Sequence, residues 1–287
     1  TKQEALAAEA NYSIQYCGKK MDAGMTFKQL YQAYYTYQED KVKKATLKTY
    51  RDRIKYMSLL DNIKIKDLDG SYYELWRKEI SKLPISTAYK NQVQKFIKIV
   101  INWGTKMYGL DFRQFYLKIS PFFNPTEIKK EMDFYTIDEF KQFISCEDDL
   151  LYKCLYETLY FCGLRRGEAR ALTWNDINFA NKTLRVNKNC ITIGGESSDF
   201  YEITTPKTKS SNRLIPMPDK LTDDLQELFK INQRKDVFKK SWFVFGDNLP
   251  IKNTTMRDRK NKIAKKAGLR AIRLHDFRHS CASLLIN

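Results

Sequence analysis

The sequence predicts two domains: an all-α helical bundle, then a mostly helical α+β domain with a small antiparallel sheet. Three observations lead there. Apolar side chains recur at helical spacing through residues 25–115. Between residues 182 and 218 the period drops to two, the mark of strands. A neutral, proline-bearing stretch separates two basic bodies, and 287 residues suit about two domains of ordinary size.

Residues 1–24 are Ala-rich and short of apolar partners, and are expected to be a helical remnant or linker from a preceding domain. In 25–115, TFKQLYQAYYTYQ sets Phe27, Leu30, Tyr31, Tyr34 and Tyr35 on one face behind Thr26 as N-cap. A second helix is expected after Thr46, with Leu47, Tyr50, Ile54 and Met57 as its stripe. YYELWRKEISK predicts a third, and STAYKNQVQKFIKIVINWGTKMYG a fourth, with Val93, Phe96, Ile97, Val100 and Ile101 inside. Residues 116–134 carry Pro121 and Pro125 and are expected to be a linker. In 135–287, TIDEFKQFISC opens with a Thr cap and first-turn acids, favoured by the helix dipole. An apolar helix ending at Gly163 follows, then GEARALTW. KTLRVNKNCITI alternates, and FYEITTPKTKSSNRLIPMP predicts two short strands around a polar turn. Helices return in LTDDLQELFKI, TMRDRKNKIAKKAG and LHDFRHSCASLLIN.

With 51 Lys and Arg against 34 Asp and Glu, the net charge is +17. Residues 25–115 hold 18 basic and 9 acidic groups, and 135–287 hold 27 and 19, so each body is strongly basic and suited to a polyanion. No apolar run reaches the roughly 18 residues of a membrane span, and no signal-peptide pattern opens the chain. The six cysteines are scattered without CxxC spacing, which predicts free thiols in a reducing cytosol and neither a disulfide framework nor a metal site. Only two histidines occur, His275 and His279.

A basic protein can act on a phosphodiester by meeting the charge that builds on the non-bridging oxygens with preorganised arginines, while a Lys or His protonates the leaving hydroxyl. Such groups occur here in order: Cys162-Gly163-Leu164-Arg165-Arg166-Gly167-Glu168, Thr205-Pro206-Lys207-Thr208-Lys209, and His275-Asp276-Phe277-Arg278-His279. These three boxes resemble those of the tyrosine recombinases, the phage-type integrases of phages and mobile elements. The resemblance implies a core-binding (SAM-like) helical domain over 25–115, preceded by an arm-type DNA-binding domain, and a catalytic domain over 135–287.

By that resemblance Arg165 and Arg278 are catalytic arginines, Arg166 being the neighbouring rival to Arg165. Lys207 is the general acid toward the leaving 5′-oxygen, with Lys209 its rival, and His275 is the box histidine. Glu168 orients the cations, and His279 is expected to brace its helix or a neighbour by hydrogen bonding. His275 and Arg278, three apart, are expected on one helical face. The family's nucleophilic tyrosine follows the HxxRH helix by a few dozen residues. No tyrosine of this chain fills that place, which suggests a C-terminal truncation and a cleavage-deficient, monomeric fragment. The resemblance further implies double-stranded DNA at recombination sites as substrate, a covalent 3′-phosphotyrosyl intermediate, no cofactor, a homotetramer on DNA at full length, an excisionase and a host DNA-bending protein as partners, and the nucleoid of a bacterial cytoplasm as location. Candidate DNA contacts are Lys43, Lys44, Thr46, Lys48, Thr49 and Arg51 on the second helix, Thr87, Lys90 and Asn91 at the start of the fourth, and Arg166 and Lys209 beside the catalytic boxes. A non-catalytic DNA-binding descendant of the family and a type IB topoisomerase-like enzyme remain alternatives.

Overall fold

The computed structural model describes residues 24–126, 133–193, 200–205 and 212–286. It divides into two units, Thr1–Ile128 and Lys129–Asn287. The remnant expected over 1–24 lies outside the described residues except for Gly24.

In the first unit, α1 (Phe27–Gln38) starts at Thr26 with a reciprocal capping box to Gln29 and buries Phe27, Leu30, Tyr31 and Tyr34. Helix α2 (Lys44–Ile54) runs into a 3-10 turn, Lys55–Leu60. It begins at Lys44, before the expected start after Thr46, and Lys43 caps it without a side-chain bond. Helix α3 (Gly70–Lys82) is capped by Asp69, and α4 (Thr87–Tyr108) by Ser86 and by Gly109 at φ +65°. Val93, Phe96, Ile97 and Val100 of α4 are fully buried, each contributing about 1.5–3 kcal/mol of apolar burial. Tyr34 packs edge-on to Phe96 and Trp103, which ties α1 to α4.

The first unit extends further than the sequence suggests. After α5 (Arg113–Leu117), part of the stretch expected as a linker from residue 116 packs back as far as Phe122. Arg77 Nη2 donates to the Pro121 carbonyl (2.9 Å) and its guanidinium lies 4.2 Å from the Phe122 ring centroid. Asn91 clasps the Phe122 main chain from both sides, accepting from its N–H (2.8 Å) and donating to its carbonyl (3.0 Å). These contacts satisfy a segment whose prolines keep it out of a helix.

In the second unit, α6 (Ile137–Ser145) has a Thr136–Glu139 capping box, and α7 (Leu150–Phe161) is capped by Asp149. Gly163, at φ +58°, turns the chain out of α7 into the short α8 (Arg166–Ala171). Among the described residues five strands follow: β1 (Ile177–Asn178), β2 (Thr183–Val186), β3 (Asn189–Thr192), β4 (Tyr201–Thr204) and β5 (Arg213–Pro216). Helices α9 (Asp219–Gln233), α10 (Asn253–Lys266) and α11 (Asp276–Ile286) complete it.

Strand pairing departs from the sequence expectation. The alternating run 182–193 is two strands in different sheets: β2 sits between β1 and β5, while β3 pairs with β4. The chain switches sheets at Asn187–Lys188, where Lys188 Nζ bonds Thr173 Oγ1 (2.9 Å) and Asp176 (2.6 Å). The two strands flanking the Lys207 segment therefore pair with other strands and not with each other. The five described cysteines are free thiols, Cys17 lying outside the described residues. Among the described residues no helix is long and apolar enough to cross a membrane.

A buried acid pair joins α7 to α9. Burial, then the adjacent Asp224, pushes the Glu157 carboxyl up to about 7. Asp224 is held down despite its burial by Lys220 (2.8 Å) and Lys153 (3.3 Å). Because the folded pKa of Glu157 exceeds its ordinary value, its contribution is full at low pH and is lost as pH rises through 7. Glu157→Gln is expected to match the native chain in thermal melts near pH 5 and to exceed it by about 1–3 kcal/mol at about pH 8. Parallel melting curves across that range would rule this out.

Candidate active site

The described part of the site stands on two helix starts. The turn at Gly163 delivers Leu164 into the core, 1% exposed, and leaves Arg165 at the mouth of α8 with its side chain 51% exposed. One turn later Glu168 points inward, its side chain only 5% exposed. Its Oε2 accepts from the Arg165 main-chain N–H (2.9 Å) and its Oε1 from Arg165 Nη1 (2.8 Å). Burial works to raise the Glu168 carboxyl, but the hydrogen bonds from Arg213 and Arg165 outweigh it and hold the group below its usual range.

Arg278 arrives on α11, whose neighbouring residue anchors the helix. Phe277 is fully buried among Tyr135, Phe143 and Tyr156 at ring-centroid separations of 5.6–5.9 Å. Ser280 Oγ accepts from the Tyr135 main-chain N–H (2.9 Å), and Asp276 is gripped by the Arg273 main chain and guanidinium. Arg278 Nη1 donates to the Gly163 carbonyl, so one glycine turn positions both arginines. Burial, then the Arg165 charge, lowers the Arg278 guanidinium from its usual value, Arg213 adding to this and Glu168 opposing it. Arg165 and Arg278, distant in sequence, thus share one electrostatic neighbourhood. Arg165 Nε and Nη2, and Arg278 Nε and Nη2, have no hydrogen-bond partner among the described residues.

His275 departs from the expected placement. Helix α11 begins at Asp276, so His275 stands just before it, although Arg278 N–H still donates to the His275 carbonyl (3.1 Å). Partial desolvation, then His279 and Arg278, lower the His275 pKa, which keeps the ring neutral near pH 7. The His279 side chain makes no hydrogen bond among the described residues. It packs edge-on against His275 at 4.9 Å, so the expected hydrogen-bonding brace is a ring contact instead.

Arg166 is exposed at the first position of α8, and Lys207 and Lys209 lie outside the described residues. Of the candidate DNA contacts in the first unit, Lys43, Lys44, Lys48, Thr49 and Arg51 are exposed and Thr46 and Thr87 half-buried. Thr49 Oγ1 donates to the Ala45 carbonyl and Arg51 Nη2 to the Tyr35 hydroxyl, both at 3.0 Å. Lys43 and Lys44 stand at the positive end of the α2 dipole, unfavourable for a lone helix and relieved by an anionic partner. Lys90 Nζ is engaged by the Ser81 carbonyl (2.8 Å). Asn91 is engaged on both sides of its amide by the Phe122 main chain, which gives it a packing role inside the bundle.

The residue missed at the sequence level is Arg213, first in β5. Its Nη2 and Nη1 lie 2.9 and 3.3 Å from the Glu168 oxygens. Strand parity could have found it: Arg213 and Ile215 share the half-buried face, Leu214 and Pro216 the exposed one, and a charge on the inward face needs a partner.

Gly167 carries the close approach that sets this geometry. A Cβ there would collide with the Asn189 side chain and stand 2.9 Å from the Cys190 carbonyl on β3. Gly167→Ala is expected to push α8 off β3 at a cost of about 1–3 kcal/mol, lowering the melting temperature. An unchanged melting temperature would count against that close packing.

The phage integrase family model matches residues 131–287, more than half of the chain. The chain is 37% identical over 171 residues to the ICEBs1 integrase of Bacillus subtilis (strain 168), covering 55% of this chain and 44% of that protein. It is 29% identical over 175 residues to a XerC-like tyrosine recombinase of Caldanaerobacter subterraneus subsp. tengcongensis, with the same coverages. The matched regions span less than half the length of these two relatives. Among solved structures, the Tn1549 transposon integrase in complex with transposon right end DNA shares the fold, with a TM-score of 0.74 at 21% identity over 92% of this chain and 87% of that one. The chain belongs to the phage integrase family of tyrosine recombinases.

Proposed function

We propose that these residues belong to a site-specific DNA recombinase, an integrase of a phage or mobile element that cuts and rejoins duplex DNA through a 3′-phosphotyrosyl link. The observation that carries this is the convergence of Arg165, held by the buried Glu168 carboxylate, and Arg278, held by the Gly163 carbonyl, each with guanidinium nitrogens left over for a ligand. Three guanidiniums around one carboxylate give a site with surplus positive charge, suited to a phosphate whose non-bridging oxygens gain charge during attack.

In this reaction a tyrosine hydroxyl attacks phosphorus, the new P–O bond forms to the phenolic oxygen, and the bond to the 5′-oxygen breaks. Arg165 and Arg278 hold the non-bridging oxygens. His275, neutral near pH 7, takes the phenolic proton, and Lys207 gives a proton to the leaving 5′-oxygen. Rejoining runs the same steps in reverse with a 5′-hydroxyl from the partner strand. Glu168 keeps Arg165 in register. The core-binding part is 25–115, with the chain as far as Phe122 packed onto it, and the catalytic part is 135–287. A tetramer assembles on two DNA sites in a bacterial cytoplasm, at the nucleoid, with an excisionase and a host DNA-bending protein controlling direction.

The test is covalent capture. Full-length protein is incubated with a nicked duplex bearing its own site, so that the cleaved strand's short end diffuses away. A denaturant-resistant adduct at a DNA 3′-phosphate is expected. Specific binding without any adduct would favour a non-catalytic DNA binder, and adducts on any supercoiled plasmid without site preference would favour a topoisomerase.

A further inference from the structure

We infer that Arg213 is a positioning residue of the phosphate site: it neutralises Glu168 from the sheet side and so leaves the Arg165 guanidinium available to substrate. This rests on the recombinase function proposed above. Glu168 is a buried carboxylate with four hydrogen bonds, two from Arg165 and two from Arg213. A carboxylate offers about four lone-pair positions, so the group is saturated only when both arginines are present.

The division between the two partners is unequal. Arg213, 26% exposed, turns both terminal nitrogens to Glu168, in the two-pronged arrangement a carboxylate matches best. Arg165, 51% exposed, gives one side-chain nitrogen and its main-chain N–H. Arg213 also sits on a firm base: β5 pairs along its length with β2, Arg213 opposite Val186. Without Arg213, Glu168 keeps one cationic partner. The Arg165 fork is then drawn inward to satisfy it, since a buried carboxylate left half paired is costly. A site with three guanidiniums and one carboxylate becomes one with two, and the arginine facing the substrate is the one that is lost.

The test measures single-turnover adduct formation by the full-length protein, beside DNA affinity and melting temperature. Arg213→Ala is expected to slow cleavage about 10- to 100-fold with a less than about threefold change in DNA affinity. Arg213→Lys, which keeps the charge but not the fork, is expected to fall between it and the native protein. In the decisive variant, Arg213→Ala is combined with Glu168→Gln. Removing the carboxylate charge releases Arg165, so the double variant is expected to cleave faster than Arg213→Ala alone. If the two losses simply multiply, Arg213 is only a brace for β5 and the inference is overturned. Native-like cleavage by Arg213→Lys and Arg213→Ala overturns it too. Should Arg213→Ala fail to fold, Arg213→Lys with and without Glu168→Gln gives the same comparison. Absence of adducts from the native protein would instead refute the recombinase function itself.

Discussion

Arg278→Ala is expected to slow strand cleavage by about 10²–10³-fold, the usual cost of deleting one preorganised donor to a developing oxyanion. The residue is held from two sides, by the Gly163 carbonyl at its guanidinium and by Phe277 at its backbone, so the side chain arrives already oriented. In the proposed reaction the transition-state charge is then met without ordering a flexible side chain at that moment. Removing the guanidinium leaves Arg165 as the remaining arginine of the pair. The fold should survive, because the carbonyl it releases is one acceptor, while the apolar anchor Phe277 stays. Arg278→Lys is expected to recover little, since a point charge does not reproduce a planar fork. The check is the single-turnover adduct rate against melting temperature: a large rate loss with a small shift in melting is the expected pair, and a proportionate loss of both would make Arg278 structural.

DNA binding by the chain is expected to weaken steeply with salt. If about 8 phosphates are neutralised, log K falls with a slope near −7, or about 10⁴-fold between 50 and 200 mM. Helix α2 is expected to supply much of this in the first unit. None of its residues is fully buried, and Lys44, Lys48 and Arg51 recur at spacings of four and three, which sets them on one face. Lys44→Ala with Lys48→Ala is expected to weaken binding alike on all sequences and to reduce the slope by about 2. Titrations of residues 1–287 with a fluorescent duplex at several salt concentrations measure both quantities. A slope unchanged by the double substitution would remove α2 from the interface.

Local signals in the sequence are borne out where the structure depends on neighbours within a turn or two. Thr26 and Thr136 cap the helices they precede, and the α4 stripe is the core of its unit. The helical and α+β character of the two bodies follows from periodicity alone. What escaped is non-local. Alternation reveals which faces are covered but not which strand lies alongside, so the run through β2 and β3 looked continuous although Lys188 and Asp176 split it. The packing of residues 120–122 depends on Asn91 and Arg77, about 30 and 45 positions earlier. At the candidate site, the motif boxes led directly to Arg165, Glu168, His275 and Arg278. Arg213 lies outside any box, and its importance comes from a carboxylate 45 positions away.

The most direct measurement is the structure of full-length protein bound to its DNA site, with the nucleophile replaced to stop cleavage. One phosphate of the scissile strand is expected within hydrogen-bond distance of the guanidinium nitrogens that Arg165 and Arg278 leave unpaired here, with Glu168 still held by Arg213. A scissile phosphate that contacts neither arginine, or an Arg165 fork turned wholly onto Glu168 in the complex, would contradict it.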